Sequence, residues 1–301
     1  MVQLKAKVIQ NTRVKSNYFH LSVEAPEIAR AALPGQFVMV RVGEGLQPLL
    51  RRPFSIHKIG YRDTVSGVRP ETGNGKRETV EILYEVVGQG TEILSAKRSG
   101  TSLDMIGPLG NGFDFGIAGT GNRTPILIAG GMGAAPLLFL AEKIREKIFF
   151  GANSPAERKR SKIKVLIGAR TGEHILCEKE FKKCGCDVTI ATDDGSRGFK
   201  GRVTDLFTSR LSSVNGEHPA LAEGPVPPFG VPLTIYACGP KPMLQVMSGI
   251  AKKYALAAQL SLESHMACGI GACLGCVINT QAGYKRVCKE GPVFGALDIL
   301  W

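Results

Sequence analysis

Residues 125–136 read PILIAGGMGAAP, and Leu137–Lys147 follow at helical spacing. A short apolar strand, a glycine turn and a helix make the opening of a nucleotide-binding α/β unit. The glycines permit a sharp turn, and the helix start offers backbone N–H groups to a phosphate. The pattern is G-G-x-G-x-A-P rather than G-x-G-x-x-G. Pro136 suits a first helical turn, where its missing N–H would have no partner anyway. Gly130, Gly131 and Gly133 are therefore candidate phosphate contacts, with a purely structural turn as the alternative.

Towards the C-terminus the same rhythm repeats. Ile163–Gly168, Asp187–Thr192 and Thr234–Ala237 read as strands, and Glu178–Lys183, Val203–Leu211 and Pro242–Tyr254 as helices. Alternating β and α elements predict an open parallel sheet with ligands at the strand carboxyl ends. Ala169-Arg170-Thr171, Asp193-Asp194-Gly195 and Cys238-Gly239-Pro240 stand at those ends. Cys238 is placed either to face a nicotinamide ring or to be a small buried residue. Gly116–Arg123 reads as a linker, and Ser213–Pro232, rich in Pro and Gly, as a surface loop. Glu157–Lys164 (ERKRSKIK) reads as a solvated loop before a strand.

Towards the N-terminus the pattern changes to short strands with turns between them: Lys5–Gln10, Tyr18–Val23, Gln36–Val42, Arg52–Lys58 and Val80–Val87. That many strands before about residue 113 predict a small antiparallel barrel. Arg62–Arg77 is polar and turn-rich, an excursion between strands. Arg52-Pro53-Phe54-Ser55 places a cation able to fork onto a pyrophosphate beside a hydroxyl. Alternation sends Arg52 and Phe54 to one face. Leu83-Tyr84-Glu85 lies on a later strand, with Tyr84 able to stack on a ring. Gly88–Thr91 leaves that strand and includes Gly90 and Thr91; Ile93–Ala96 then reads as the opening of a helix. Each feature also has a local reading: an edge arginine, a core tyrosine, a tight turn. Gly107–Gly112 (GPLGNG) reads as one more glycine-rich turn.

The last forty residues carry the densest chemistry. Cys268, Cys273, Cys276 and Cys288 stand in ESHMACGIGACLGC and RVC, a C-x4-C-x2-C run followed by eleven residues and a fourth Cys. The run begins like the plant-type spacing that holds a [2Fe–2S] cluster. Gly269, Gly271 and Gly275 are expected to take positive φ, curling the backbone so that N–H groups face anionic sulfur. Tetrahedral zinc is the rival, although structural zinc usually takes two CxxC knuckles and only Cys273 and Cys276 make one. Four unrelated buried cysteines are the third reading. Cys177, Cys184 and Cys186 read as ordinary thiols.

Composition bounds the rest. The chain has 301 residues, room for two or three domains. A net charge of +12 from scattered basic residues, without a basic patch interleaved with aromatics, argues against nucleic acid. No apolar run has membrane-spanning length, and the N-terminus lacks the apolar core of a signal peptide. Eight cysteines in such a chain suggest metal or redox use rather than a disulfide framework, and a cytoplasmic location.

Together these blocks resemble the ferredoxin–NADP reductase superfamily, a flavin barrel followed by a pyridine-nucleotide domain. Arg52–Ser55 matches its Arg-x-(Tyr/Phe)-(Ser/Thr) flavin motif, Gly130–Pro136 its nicotinamide-domain turn and Cys238–Pro240 its Cys-Gly-Pro. ESHMACGIGACLGC and RVCKEGPVF are similar to the electron-transfer subunits of heterotetrameric, NAD-dependent type B dihydroorotate dehydrogenases. That resemblance implies an FAD-binding β-barrel domain over residues 1–115, an NAD-binding α/β domain over 116–258 and a small [2Fe-2S] domain over 259–301. It implies FAD held by Arg52, Pro53, Phe54, Ser55, Leu83, Tyr84, Glu85, Gly90 and Thr91. It implies cluster ligation by Cys268, Cys273, Cys276 and Cys288. The expected partner is an FMN-containing catalytic subunit in a two-plus-two heterotetramer that sends electrons from dihydroorotate to NAD+ in pyrimidine biosynthesis. A flavin/nucleotide subunit of a sulfide dehydrogenase, hydrogenase or transhydrogenase is the second reading. A zinc-bearing nucleotide-binding regulator is the third. The chain departs from the family pattern in several places: the insertions Arg62–Arg77 and Ser213–Pro232 are longer than the family needs, Gly295 stands where an acidic residue is expected, and Glu85 where a basic one is usual.

Overall fold

A computed structural model describes residues 1–45, 47–61, 77–116, 123–151, 163–214 and 233–301. Most of the Arg62–Arg77 excursion, the 116–123 linker, the 157–164 loop and the 213–232 loop lies outside the described residues. The chain divides into two compact units. One comprises 1–112, 264–278 and 284–292; the other comprises 113–263, 279–283 and 293–301.

The first unit is built on a seven-stranded antiparallel sheet. Its strands are β1 (Val2–Lys15), β2 (Tyr18–Glu24), β3 (Phe37–Arg41), β4 (Arg52–Ser55), β5 (Lys58–Tyr61), β6 (Arg77–Glu85) and β7 (Ser102–Leu109). They lie in the order β4-β3-β7-β1-β2-β6-β5. The expected single strand Arg52–Lys58 is two strands, for a structural reason. β4 pairs with β3, whereas β5 pairs with β6 at the far side of the sheet. The corner between them is held by Ile56 N–H on the Gln36 carbonyl (3.0 Å) and His57 N–H on the Glu81 carbonyl (2.9 Å). One segment thus changes partners and rolls the sheet into a barrel. Leu21, Val38, Met39, Ile56, Ile82, Leu103 and Met105 fill its core without exposure above about one per cent.

Strand β7 escaped the sequence reading because Gly107-Pro108 looks like a turn. Its burial alternates strictly through Leu103, Met105, Gly107 and Leu109. Pro108 is tolerated because the β3 ladder skips a step between Phe37 and Met39 and the β1 ladder ends at Gly107. A short helix, α1 (Pro26–Ala31), also unforeseen, presses Ile28 onto Gly107. The helix expected to open at Ile93 begins earlier, as α2 (Gln89–Ser95). The Thr91 hydroxyl accepts from the Val87 and Gly88 N–H groups (2.9 and 3.2 Å) and so starts the helix four residues sooner.

The second unit contains the expected parallel sheet. Strands β8 (Thr124–Gly130), β9 (Lys164–Ala169), β10 (Asp187–Thr192), β11 (Phe199–Lys200), β12 (Leu233–Cys238) and β13 (Ala257–Ser261) run parallel. Their order is β11-β10-β9-β8-β12-β13, with helices α3 (Ala134–Gly151), α4 (Glu178–Lys183), α5 (Val203–Val214) and α6 (Lys241–Lys253) in the crossovers. β12 is buried throughout, as a strand covered on both faces must be. The chain also returns after the cysteine segment. Following the ribbon β14 (Val277–Thr280) and β15 (Gly283–Arg286), β16 (Val293–Gly295) adds antiparallel to the β13 edge.

Gly107 tests the barrel packing. A Cβ there would stand 2.6 Å from Val38 Cγ1 and 3.5 Å from two Ile28 carbons. Gly107→Ala is expected to cost about 1–3 kcal/mol by overpacking. Val38→Ala in the same chain is expected to recover part of that loss, measured as denaturant midpoints by a signal from the barrel.

Candidate functional site

In the first unit, barrel closure brings together motifs that lie far apart in sequence. Phe54 of β4 and Tyr84 of β6 meet edge to face, with ring centroids 5.7 Å apart. Tyr84 also stacks on Phe19 at 5.7 Å. A Cβ on Gly90 would stand 2.7 Å from Arg52 Nε, so the α2 start lies directly against the guanidinium. Arg52 Nη1 donates to the Leu50 carbonyl at 2.6 Å. A guanidinium, a glycine-lined helix start and an aromatic edge on one side of a barrel form a donor set suited to a pyrophosphate attached to a flat ring.

Other members of the expected set serve mainly to shape the site. Thr91 also donates to the Gly88 carbonyl at 2.9 Å, so its hydroxyl is engaged in capping. Leu83 is buried in the barrel wall. Glu85 accepts from Asn17 Nδ2 at 2.9 Å. Tyr84 is 2% exposed, and its hydroxyl donates to Asn11 Oδ1 at 3.1 Å. Asn11 turns its amide to the Leu94 and Lys97 carbonyls (2.8 and 3.1 Å), tying Tyr84 to the end of α2. Nothing in the sequence marks Asn11, because its partners are distant.

The four cysteines belong to this same compact unit. Gly269 and Gly271 have φ of +72° and +85°. The third left-handed residue is Leu274 at +56°, not Gly275 as expected; its side chain is 62% exposed and meets no obstacle. The curl directs backbone N–H groups at sulfur. Burial opposes ionisation of Cys268, but N–H groups of Cys273, Ile270 and Ala272, with the Cys273 side chain, outweigh it and pull the thiol down to about 6. The Cys288 N–H donates to Cys276 Sγ at 3.4 Å. Burial and the neighbouring Cys276 push the Cys288 thiol up to about 12, against a Gly271 N–H.

Cys273 lies beside Cys268, and both Cys276 and Cys268 act on Cys288, so the four thiols face one another across the loop. Among the described residues no three His, Cys, Asp or Glu side chains group as a single bound ion would require. The loop is seated directly on the barrel: a Cβ on Gly269 would strike Met39 Cγ at 2.4 Å. Met39 of β3 is the register partner of Pro53. Only one strand separates the cysteine loop from the Arg52–Ser55 motif.

In the second unit the strand order reverses between β8 and β12, with β9 and β10 to one side and β13 to the other. A crevice at the carboxyl ends of such strands is where open sheets take nucleotides. Gly130, Gly131 and Gly133 lie there, Gly131 at φ +52° in a single 3-10 turn that leads into α3. A Cβ on Gly133 would stand 1.9 Å from the Cys238 carbonyl oxygen. The glycine turn and Cys238-Gly239-Pro240 are therefore one site. Burial raises the Cys238 thiol, as does the Glu263 carboxylate beyond the end of β13, while a Ser261 hydrogen bond opposes them. Gly295, where an acidic side chain is absent, has Asp298 Oδ2 only 2.5 Å from its Cβ position. A carboxylate thus fills that space from three residues away.

Comparison with known proteins places these features. A family model described as the iron-sulfur cluster binding domain of dihydroorotate dehydrogenase B matches residues 263–300. Another, the oxidoreductase NAD-binding domain, matches residues 127–249. A Desulforamulus reducens protein named dihydroorotate dehydrogenase B (NAD(+)), electron transfer subunit, is 37% identical over 98% of this chain and 97% of its own. A Geobacillus sp. (strain WCH70) protein of the same name is 35% identical over 100% and 99%. The solved NADH-dependent reduced ferredoxin–NADP oxidoreductase, described for flavin-based electron bifurcation, superposes with TM-score 0.71 at 25% identity over 98% of this chain and 90% of its own. A Neisseria gonorrhoeae ferredoxin–NADP+ reductase with bound FAD and NADP shares the fold, with TM-score 0.59 at 14% identity over 84% and 91%.

Tyr84 offers a pH test of the site. Burial, opposed by the Asn11 hydrogen bond, raises its phenol to about 12, from an ordinary value near 10. The stabilising effect of the neutral phenol is complete below pH 10 and is lost as pH rises through about 12. Tyr84→Phe is expected to remove one late-titrating share of phenolate absorbance near pH 12 and to flatten the loss of stability between pH 10 and 12. Chemical denaturation at pH 9 and 11.5 checks the second point.

Proposed function

We infer the function of this chain from its membership: it belongs to the family of dihydroorotate dehydrogenase B electron transfer subunits. It passes electrons from a separate FMN-containing catalytic subunit, which oxidises dihydroorotate, to NAD+, a step of pyrimidine biosynthesis. We propose that Arg52, Pro53, Phe54, Ser55, Leu83, Tyr84, Glu85, Gly90 and Thr91 hold FAD. Gly130, Gly131, Gly133 and Cys238 receive the nicotinamide nucleotide, and Cys268, Cys273, Cys276 and Cys288 hold a [2Fe–2S] cluster. When bound, FAD exchanges a hydride with NAD(H) and single electrons with the cluster, which carries one at a time.

The single observation that carries this reading is the seating of the cysteine loop on β3, one strand from Arg52–Ser55. It favours electron transfer over a separate metal knuckle, as the C-x4-C-x2-C spacing favours two irons over zinc. On this reading Arg52 and the α2 start bind and orient the pyrophosphate, while Phe54 and Tyr84 keep water from the ring. Gly131 and Gly133 let the nucleotide phosphate approach the start of α3. The inward N–H groups of the cysteine loop offset sulfur charge.

The loop rim is apolar and open: Ile270 is 45%, Leu274 62% and Val277 37% exposed, beside an exposed Cys273. Such a patch suits cover by the catalytic subunit in a two-plus-two assembly. We keep residues 1–115, 116–258 and 259–301 as the functional partition. No helix among the described residues is long and apolar enough to cross a membrane, and none of the eight cysteines is disulfide-bonded. A cytoplasmic location suits those thiols.

Anaerobically purified protein is expected to carry flavin and about two irons per chain, with a rhombic EPR signal on reduction. Cys288→Ser is expected to lose the iron signal and keep the flavin, and to lose NADH formation when combined with the catalytic subunit and dihydroorotate. A colourless, zinc-loaded chain would overturn the assignment.

A further inference from the structure

The residues that flank Cys288 form a closed clamp. The Arg286 main-chain N–H donates to Glu290 Oε2 at 2.7 Å, and Arg286 Nε reaches the same oxygen at 3.1 Å. The Arg286 carbonyl accepts from the N–H groups of Lys289 and Glu290 at 3.1 and 2.9 Å. This turn holds Cys288 between its two ends. Arg286 Nη1 then crosses to the Gly271 carbonyl at 2.8 Å, inside the loop that carries Cys268, Cys273 and Cys276. One guanidinium therefore joins the segment of the fourth cysteine to the segment of the other three. A lysine has the charge but cannot make this forked contact.

The clamp continues into the barrel within the same compact unit. The Glu290 carbonyl accepts from Asn111 Nδ2 at 3.0 Å, and the Gly291 carbonyl from Asn111 N–H at 2.6 Å. Beside Asn111, the Gly110 carbonyl accepts from Gln36 Nε2 at 2.7 Å. The Gln36 carbonyl accepts from Ile56 N–H at 3.0 Å, and Ile56 follows Ser55. Gly110 is at φ +73° with Gly291 O and Pro292 Cδ each 2.6 Å from its Cβ position, so this junction is closely fitted. Arg286 also interacts electrostatically with Cys276 and Cys288.

Resting on the cluster and flavin assignments above, we propose that Arg286 is a positioning residue that, through Glu290, Asn111 and Gln36, fixes the four-cysteine loop relative to the Arg52–Ser55 strand. Its guanidinium sets geometry through the fork and balances the negative charge of Glu290 beside the thiolates. The two contributions separate by substitution. Arg286→Lys keeps the charge and loses the fork; Arg286→Gln loses both. Removing the positive charge makes an added electron less welcome, since cluster potentials follow local charge.

The test uses the full chain purified anaerobically with its flavin and iron. Wild type, R286K, R286Q and N111A are compared by iron content, EPR, cluster midpoint potential and amide exchange across 268–276. The rate of electron redistribution between flavin and cluster after rapid one-electron reduction is also measured. R286Q is expected to lower the potential and slow redistribution about ten- to hundredfold, the range for removal of an outer partner of a metal site. R286K is expected to keep the potential, to slow redistribution and to speed loop exchange. N111A touches no cysteine and is expected to keep iron and potential while loop exchange rises. It decides the question if either Arg286 variant fails to fold. Wild-type iron with unchanged exchange and redistribution in R286K, or unchanged exchange in N111A, overturns the positioning role alone. A wild-type chain without iron overturns the cluster assignment and this role with it.

Discussion

Strand β3 serves two sites at once, and the first unit depends on it. One edge pairs with β4, placing Arg52 opposite Val40 and Pro53 opposite Met39. Met39 then meets the backbone of Gly269, so closely that any side chain at 269 would collide with it. Register in an antiparallel pair allows no half steps, and a slip by one residue would send every side chain to the other face. The place of the cysteine loop is thus tied to the same ladder that places the flavin motif. The barrel core, buried completely around Val38 and Met39, keeps that ladder from sliding.

The second unit meets a comparable constraint with different means. The connections that follow two neighbouring parallel strands, β8 and β12, run to opposite sides of the sheet, which opens a crevice at their carboxyl ends. The crevice is narrow because Gly133 lies directly on the Cys238 carbonyl and Gly130 against Met243 and Pro240. A glycine turn in the sequence signals that a backbone must come close to something. Here two of the three glycines serve closeness to the neighbouring strand, and Gly131 alone among them takes positive φ. Phosphate binding and strand packing share one short segment.

Much of this was legible from one dimension, and the failures have physical causes. Strands β8, β9, β10 and β12 and their helices follow from apolar runs and helical periodicity, because a parallel sheet buried on both faces writes itself as such runs. The cysteine spacing is a local signal for the same reason. Strand β7 was hidden because proline is tolerated at a bulge that exists only once β3 has paired. The Arg52–Lys58 segment looked continuous because a change of partner leaves no mark on its own residues. Asn11, Asn111 and Gln36 were invisible because their partners lie up to 179 positions away; Arg286 pairs with Glu290 nearby, but only the fold brings it across to Gly271. Gly275 misled because a residue in the left-handed region need not be glycine when, like Leu274, its side chain points into open solvent.

The Arg286–Glu290 pair shows why such residues matter despite small energies. Both side chains are partly exposed, at 27% and 28%, and four residues apart. A pair of that kind contributes about 0.2–1 kcal/mol at most. Hydrogen bonds from Arg286, opposed by burial, hold the Glu290 carboxyl down to about 2. The pair is therefore ionised throughout the physiological range, and its contribution to the fold is lost only as pH falls from the ordinary carboxylate value through about 2. Stability is a weak reason for ordering two long side chains at a surface. Geometry is a stronger one, because redox centres held on separate segments of chain must keep their spacing while electrons pass. A clamp made of one fork, one carboxylate and one asparagine supplies that constancy.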